Sequence, residues 1–318
     1  MTLTIAITGA TGFVGKTLLP LLTAAGYRLS VLARNPIATQ FDSATRVVKG
    51  DLQNTAALHD LTQNADVVLH IAGVVSGVRR SDFMSANCDG TVTLAKAAKA
   101  NGVKRFVHVS SLAAREPALN AYGESKNAAE KELMAMAGHM QLCILRPSAV
   151  YGPGDTATLP LLQALMSHTA FIPGSVDARF AMVHVEDVAR ALVASVDGAT
   201  GVFELHDGSD GHTWPEMISI TRQYFGTPGR VVYIPKALAM GIGHIGDIIA
   251  KLRNQVWLPG TAQIKQIYHP DWRAQGATWP LQDPIKLQDG LPQTIGWYQA
   301  QGLLPQRHVA DRSGADQK

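Results

Sequence analysis

The stretch "TGATGFVG", residues 8–15, decides how this chain folds. It ends the β-type run "LTIAIT" (3–8) and opens a helical pattern that starts near Phe13. Gly9, Gly12 and Gly15 therefore stand between a strand and a helix, the context a dinucleotide fingerprint requires. Gly9 permits a tight turn, Gly12 lets the backbone approach a pyrophosphate, and Gly15 lets the helix pack on the strand. The helix N-terminus then offers free N–H groups and a partial positive charge to the phosphates.

Outward from that turn the alternation continues. Strands are expected at "RLSVLA" (28–33), "TRVVKG" (45–50), "DVVLHIA" (66–72), "RFVHVS" (105–110) and "LCILRP" (142–147). Helical patterns begin near Thr55, Asp82 and Asn120. Near-continuous apolar strands separated by helices indicate an α/β protein with a parallel sheet covered on both faces. Right-handed crossovers make that sheet doubly wound. After about Pro147 the texture changes, with Pro and Gly dense in "YGPGD", "FIPGS" and "LPGT" and all five tryptophans in the last third. The expected division is a dinucleotide-binding core over 1–150 and a smaller C-terminal substrate lobe over 151–306. The lobe is interleaved with the last strands of the core, and 307–318 form a polar tail.

Of the 318 residues, 46% are hydrophobic and only 17% charged, against about 25% charged in ordinary soluble domains. That suits a large buried core. A net charge of +3 with no Lys/Arg-rich run argues against nucleic acid. Cys88 and Cys143 lie in apolar segments and read as buried thiols of a reducing compartment. No stretch approaches the roughly 18 apolar residues of a membrane span. "MTLTIAITGATG" shows no basic leader or cleavage site, so a cytoplasmic protein is expected. No metal site is expected.

The end of the second strand bears on the cofactor. An acid there accepts from the ribose 2′-hydroxyl of NAD, whereas an Arg accommodates the 2′-phosphate of NADP. Here "VLARNP" places Arg34 at that point, with no carboxylate between Gly12 and Asp42. NADP(H) is preferred, NAD(H) being the alternative if Arg34 is only a solvated loop residue. Asp51 in "KGDL" has two readings, an acceptor for the adenine amino group or an N-cap of the next helix.

These motifs resemble the extended short-chain dehydrogenase/reductase family, also called the NAD-dependent epimerase/dehydratase family. The likeness covers nearly the whole chain. It rests on "TGATGFVG", "GDL", "HIAG", "ANCDGTVTLAKAAKANGVKRFVHVSS", "YGESK", "LRPSAVYGPGD", "HVEDVARA" and "GWYQAQGLL". It implies a Rossmann core and a catalytic Tyr/Lys pair, here Tyr122 and Lys126, with Ser111 as the serine ending the fifth strand. It also implies that Lys126 bonds the nicotinamide ribose. Cofactor contacts are implied at Gly9, Thr11, Gly12, Phe13, Val14, Arg34, Asp51, Leu52, Ala72, Gly73 and Pro147, besides Tyr122 and Lys126. By the same analogy Asn87 supports a proton relay; its other reading is a polar residue inside a helix.

The chemistry is intelligible from the residues. Hydride transfer at a carbinol carbon requires a proton to move on its oxygen. Free tyrosine, with a pKa near 10, is a poor base, and a neighbouring ammonium is expected to lower it. Lys126 follows Tyr122 by one helical turn, so both share a face. Ser111 can hydrogen-bond the substrate oxygen.

Three departures separate this chain from the sugar-nucleotide branches of the family it resembles. "SLAAR" after the serine lacks the acidic pair of dehydratases. Ala149 stands where epimerases carry an Asn for the substrate diphosphate. Tyr122 follows Ser111 by only 11 positions, leaving little room for an elaborated substrate loop. "LRPSAVYGPGD" and "TAQIKQIYHPDW" look more like the hydroxysteroid-dehydrogenase and dihydroflavonol-reductase-like branches, which act on fairly apolar alcohols and ketones.

In "KALAMGIGHIGDIIAKLR", Leu238, Ile242, Ile245, Ile249 and Leu252 form an apolar helix face, with a second stripe of Ala239, Gly243, Gly246 and Ala250. The face packs against the sheet lobe, walls an apolar pocket, or rests on a membrane surface. His184 and Asp187 read as structural, Asp187 as a helix cap. Arg179 is either a contact for an anionic substrate or a surface residue. The leading expectation is an NADP(H)-dependent oxidoreductase of an apolar small-molecule alcohol or ketone. The alternatives are a sugar-nucleotide epimerase with bound NAD and a non-catalytic dinucleotide-binding or redox-sensing subunit. Monomer and homodimer both stay open.

Overall fold

A computed structural model describes residues 2–306 except 37–40, 137, 227–228 and 254–258. The expected tail 307–318 and Trp257 lie outside the described residues. The strands are β1 (Thr4–Thr8), β2 (Arg28–Ala33), β3 (Arg46–Lys49), β4 (Val67–His70), β5 (Arg105–Val109), β6 (Gln141–Pro147), β7 (Ala149–Tyr151), β8 (Thr169–Pro173), β9 (Arg179–Phe180), β10 (Met182–His184), β11 (Gly201–Leu205), β12 (His212–Thr213), β13 (Arg230–Ile234) and β14 (Asp271–Trp272). The helices are α1 (Phe13–Ala24), α2 (Thr55–Thr62), α3 (Arg80–Phe83), α4 (Gly90–Ala100), α5 (Ala121–Met136), α6 (Leu159–Leu165), α7 (Val185–Ala194), α8 (Trp214–Phe225), α9 (Lys236–Arg253), α10 (Thr261–Ile267) and α11 (Leu287–Ala300). A π-helical turn, Met84–Asp89, joins α3 to α4, and a 3-10 turn, Leu112–Arg115, follows β5.

Seven strands form one parallel sheet in the order β11-β6-β5-β4-β1-β2-β3. β4 and β5 are buried along their whole length, as strands covered on both faces must be. The two faces still alternate. Ile5 and Ile7 pack with Leu18 and Leu22 of α1 and Leu192 of α7, while Ala6 faces Leu58 and Leu61 of α2 and Leu94 of α4. Truncating one such fully buried leucine to alanine costs about 2–5 kcal/mol. Cys88 and Cys143 are buried free thiols.

The chain order reverses between β1 and β4, and a crevice opens there at the carboxyl ends of the strands, where ligands of doubly wound sheets bind. The later elements build the lobe beside that crevice. β12-β9-β14 and the pairs β10-β7 and β13-β8 are small sheets of their own, over a core around Tyr151, Leu291 and Tyr298. β11 returns from this region to extend the large sheet beside β6. Trp279 also returns, packing edge-on to Phe203 in the core of the large sheet.

α9 departs from its simplest sequence reading. Its small residues Ala239, Gly243 and Gly246 are buried, whereas Leu238, Ile242, Ile245 and Leu252 are exposed. Gly243 explains the reversal: a Cβ there would lie 2.8 Å from Ile264 Cδ1 of α10, so only a small side allows this approach.

Candidate active site

The glycine turn has the predicted geometry. Gly9 adopts φ +81°, and a Cβ on it would stand 2.6 Å from Ala72 N. A Cβ on Gly15 would stand 2.3 Å from Gly9 O, so α1 touches the turn backbone. Gly12 is the N-cap of α1, with no side-chain cap bond and no acid in the first turn. The first N–H groups of a 12-residue helix thus face the crevice with their partial positive charge uncontested. Gly9, Gly12, Phe13 and Val14 on one side and Ala72 and Gly73 on the other line a cleft of about 970 Å³. This cradle fits a dinucleotide.

The same cleft is lined by Ser111, Tyr122, Lys126 and Pro147. Backbone chemistry brings the first three together. β5 delivers Ser111 to the sheet edge, where its Oγ caps the 3-10 turn by accepting from Ala113 N at 3.2 Å. Asn120 starts α5 by accepting from Gly123 N at 2.7 Å. Gly123, inside "YGESK", lets α5 approach that turn; its Cβ would lie 2.5 Å from Ala113 O. Tyr122 and Lys126 then project one helical turn apart toward the crevice.

Lys126 is buried, and its Nζ donates to Val109 O at 2.9 Å. Burial pushes its ammonium down to about 8, with Glu130 pulling it back up. Beside it, the buried His70 and His108 rings stack at 5.2 Å. His70 is pushed down to about 3, by burial first and the Lys126 charge second, and His108 is lowered by the same causes. Both rings are therefore neutral at pH 7. Burial raises the phenol of Tyr122, and the adjacent Ser111 hydroxyl pulls it part of the way back. This reverses the expected direction, because desolvation dominates at the phenol.

Asn87 sits in the π-helical turn, buried. It accepts from Val74 N at 2.7 Å and donates to Val74 O at 2.9 Å and Ser125 Oγ at 3.0 Å. It ties the loop after β4 to α5. Gly73 lies between: its Cβ would be 3.1 Å from both Asn87 Oδ1 and Lys126 Nζ.

The remaining predicted contacts lie outside the cleft lining. Thr11 is exposed in the turn and Leu52 packs under Gly90. Arg34 is exposed at the end of β2, with no hydrogen bond or ion pair to a described residue. Asp51, exposed beyond β3, accepts from Gln53 N and Asn54 N; the cap of α2 is Asn54, accepting from Ala57 N at 3.0 Å. The cap reading of Asp51 is thereby corrected. Asp187 is likewise no cap: His184 caps α7, and Asp187, one turn inside, pairs with Arg190 and accepts from Ile285 N at 2.8 Å. Arg179 pairs with Asp210 at 3.8 Å at the cleft's rim.

Two supports were not foreseen. Glu130, one turn beyond Lys126, accepts from Ser110 Oγ at 2.5 Å and Arg146 Nε at 2.9 Å, locking α5 to β5 and β6. Arg115 donates to Arg273 O at 2.7 Å, joining the Ser111 turn to the lobe. The lobe lines the cleft with the apolar Leu161, Phe180, Met182, Trp214 and Trp272, to which Phe83 of α3 adds from the core, and with the polar Arg179, Gln263, Gln266 and His269. Ala149 is exposed there and offers no side-chain hydrogen bond.

The NAD dependent epimerase/dehydratase family matches residues 5–202, more than half of the chain. The chain belongs to this family. It is an NAD(P)-binding enzyme of the extended short-chain dehydrogenase/reductase type, whose homologues include reductases, dehydrogenases and epimerases. A protein named ceramide reductase from Caulobacter vibrioides is 39% identical over 313 residues, covering 96% of this chain and 98% of that one. A UDP-glucose 4-epimerase from Vibrio cholerae is 32% identical over 67% of this chain and 73% of its own length. Among solved structures, gox2253 superposes with a TM-score of 0.74 at 20% identity, covering 96% of this chain and all of that one, a likeness of fold. MoeE5, solved with UDP-glucose and NAD, gives 0.70 at 25% identity, covering 94% of this chain and 99% of its own.

Proposed function

We propose that the protein is an NADP(H)-dependent reductase of a ketone carried on an apolar, long-chain molecule. One observation carries the reading: Ser111, Tyr122 and Lys126 share one cleft with the open N-terminus of α1, under an apolar lobe. The likeness to a ceramide reductase, 39% identical over nearly the whole of both chains, supports a lipid-like ketone. Exposed Arg34 at the end of β2 supports the 2′-phosphate of NADP.

The dinucleotide, when bound, supplies the hydride to the carbonyl carbon. Ser111 donates a hydrogen bond to the carbonyl oxygen and holds it beside Tyr122. Tyr122 gives its proton to that oxygen as negative charge develops there, and its raised pKa keeps the proton in place until then. Lys126, charged below about pH 8, stabilises the phenolate left behind. Asn87 and Glu130 position α5 and touch no reacting atom.

The epimerase alternative has the Vibrio cholerae relative in its favour. Against it stand Ala149, which offers no side-chain hydrogen bond, and the apolar side chains of the lobe; Arg179 at the rim is a lining group that a sugar diphosphate could meet. The test is NADPH consumption, followed by absorbance, with long-chain keto-lipids beside UDP-glucose. Net oxidation with the keto-lipids alone is expected. Interconversion of UDP-sugars without net redox overturns the reading.

A further inference from the structure

α9 has two apolar sides, and only one is covered by other described residues. Its small side packs on α10, where Asp247 accepts from Thr261 Oγ1 at 2.6 Å, and Gly246, Asp247 and Ala250 line the cleft. The large side chains point away: Leu238 is 61% exposed, Ile245 56%, Ile248 58% and Leu252 81%. With Ile242 they occupy an arc of about 120° on a helix turning about 100° per residue. Ordinary surfaces scatter such residues singly, and a contiguous set marks an interaction site.

We propose that this face seats α9 flat on an anionic lipid bilayer. No helix among the described residues is long and apolar enough to cross a membrane, so the contact is in-plane. Charge complementarity selects the occupant. Lys236 and Lys251 are exposed at the two ends of α9, and its single acid, Asp247, is turned inward onto Thr261. An isologous contact with a second copy would oppose basic ends of like sign, whereas an anionic headgroup layer complements them. Phe171 and Val232, paired across β8 and β13 and both exposed, add apolar surface on the ribbon that leads into α9. The cleft lies on the opposite side of the same helix, within about one helix diameter, roughly 10 Å, of the seated face.

The test is co-sedimentation of the full chain with vesicles, without substrate or dinucleotide. Equimolar phosphatidylcholine and phosphatidylglycerol is compared with phosphatidylcholine alone. At low salt the mixed vesicles should bind at least about tenfold tighter, since each basic residue near an anionic surface contributes a factor of about five. The double variant Ile245→Ser/Leu252→Ser should lose at least about tenfold in vesicle affinity, and Lys251→Glu should weaken binding to the mixed vesicles alone. Melting temperature and NADPH affinity should stay parental in both, because these side chains already face solvent. The proposal is overturned if the parent stays in the supernatant with both vesicles, or if the double variant binds as the parent does. It is equally overturned if ultracentrifugation shows a dimer that the double variant dissociates, which gives the face to a second copy. The proposal does not rest on the reductase reading. With no substrate in the assay, failure here leaves that reading standing, and failure to reduce keto-lipids leaves the vesicle result standing.

Discussion

Replacing Lys126 by Met should make the protein more stable and much less active. The side chain is buried, and its ammonium is held near 8 instead of the ordinary 10.5. At 1.36 kcal/mol for each tenfold change in proton affinity, keeping it charged at pH 7 costs the fold about 3 kcal/mol. Methionine fills a similar volume without that charge. It loses the hydrogen bond to Val109 O, worth about 1 kcal/mol. It does not strand Glu130, which retains Ser110 and Arg146. The net expectation is a gain of about 2 kcal/mol at pH 7, roughly 3 °C in Tm. The pH dependence fixes the sign. Between about pH 8 and 10.5 the unfolded chain holds the Lys126 proton and the folded chain does not, so parental stability rises with pH in that window. Above it the advantage of the variant should vanish. The assay is urea unfolding of both proteins at pH 7 and pH 10, beside steady-state turnover. A variant less stable than its parent at pH 7, or a stability gap independent of pH, refutes the burial argument. Parental turnover refutes the role given to the ammonium.

Arg34→Ala should raise the Kd for NADPH at least about tenfold, about 1.4 kcal/mol, and leave NADH unchanged in fluorescence titrations; equal loss for both removes Arg34 from the 2′-phosphate. Gly123→Ala should press α5 away from the Ser111 turn and lower kcat by about a hundredfold, since displacements near 1 Å are felt on that scale, with NADPH binding kept. For ketone reduction, kcat/KM should be level below about pH 8 and fall above it as Lys126 loses its proton, an inflection that Lys126→Met abolishes.

What could be read beforehand follows from local chemistry. Gly9 and Gly15 announce themselves because a side chain would meet backbone at 2.6 Å on the first, which also takes φ +81°, and at 2.3 Å on the second. The inner strands β1 and β4 are legible because burial on both faces leaves them nearly continuous in apolar residues. Tertiary contacts hide the rest. The return of β11 to β6 leaves no local mark. The π-helical turn that aims Asn87 differs from an α-helix by one residue of winding. α9 misleads a reading by apolarity, since close helix packing selects glycine and alanine and leaves the large residues outside. The likeness to the family picks out Tyr122 beside Lys126, but not the direction of its pKa, because burial of the phenol leaves no mark in the spacing. Glu130 carried a faint signal, a charged residue on the buried face of α5 one turn beyond Lys126.

The most direct test of the central claim is isotopic. The protein is incubated with NADPH deuterated at C4, in each epimer, and a long-chain keto-lipid, and the product is examined by mass spectrometry. One deuterium should reach the carbinol carbon from one epimer alone, with one NADPH consumed per product. Tyr122→Phe should slow that transfer at least about a hundredfold while NADPH affinity holds. Unlabelled product, or a Tyr122→Phe variant transferring deuterium at the parental rate, contradicts the account.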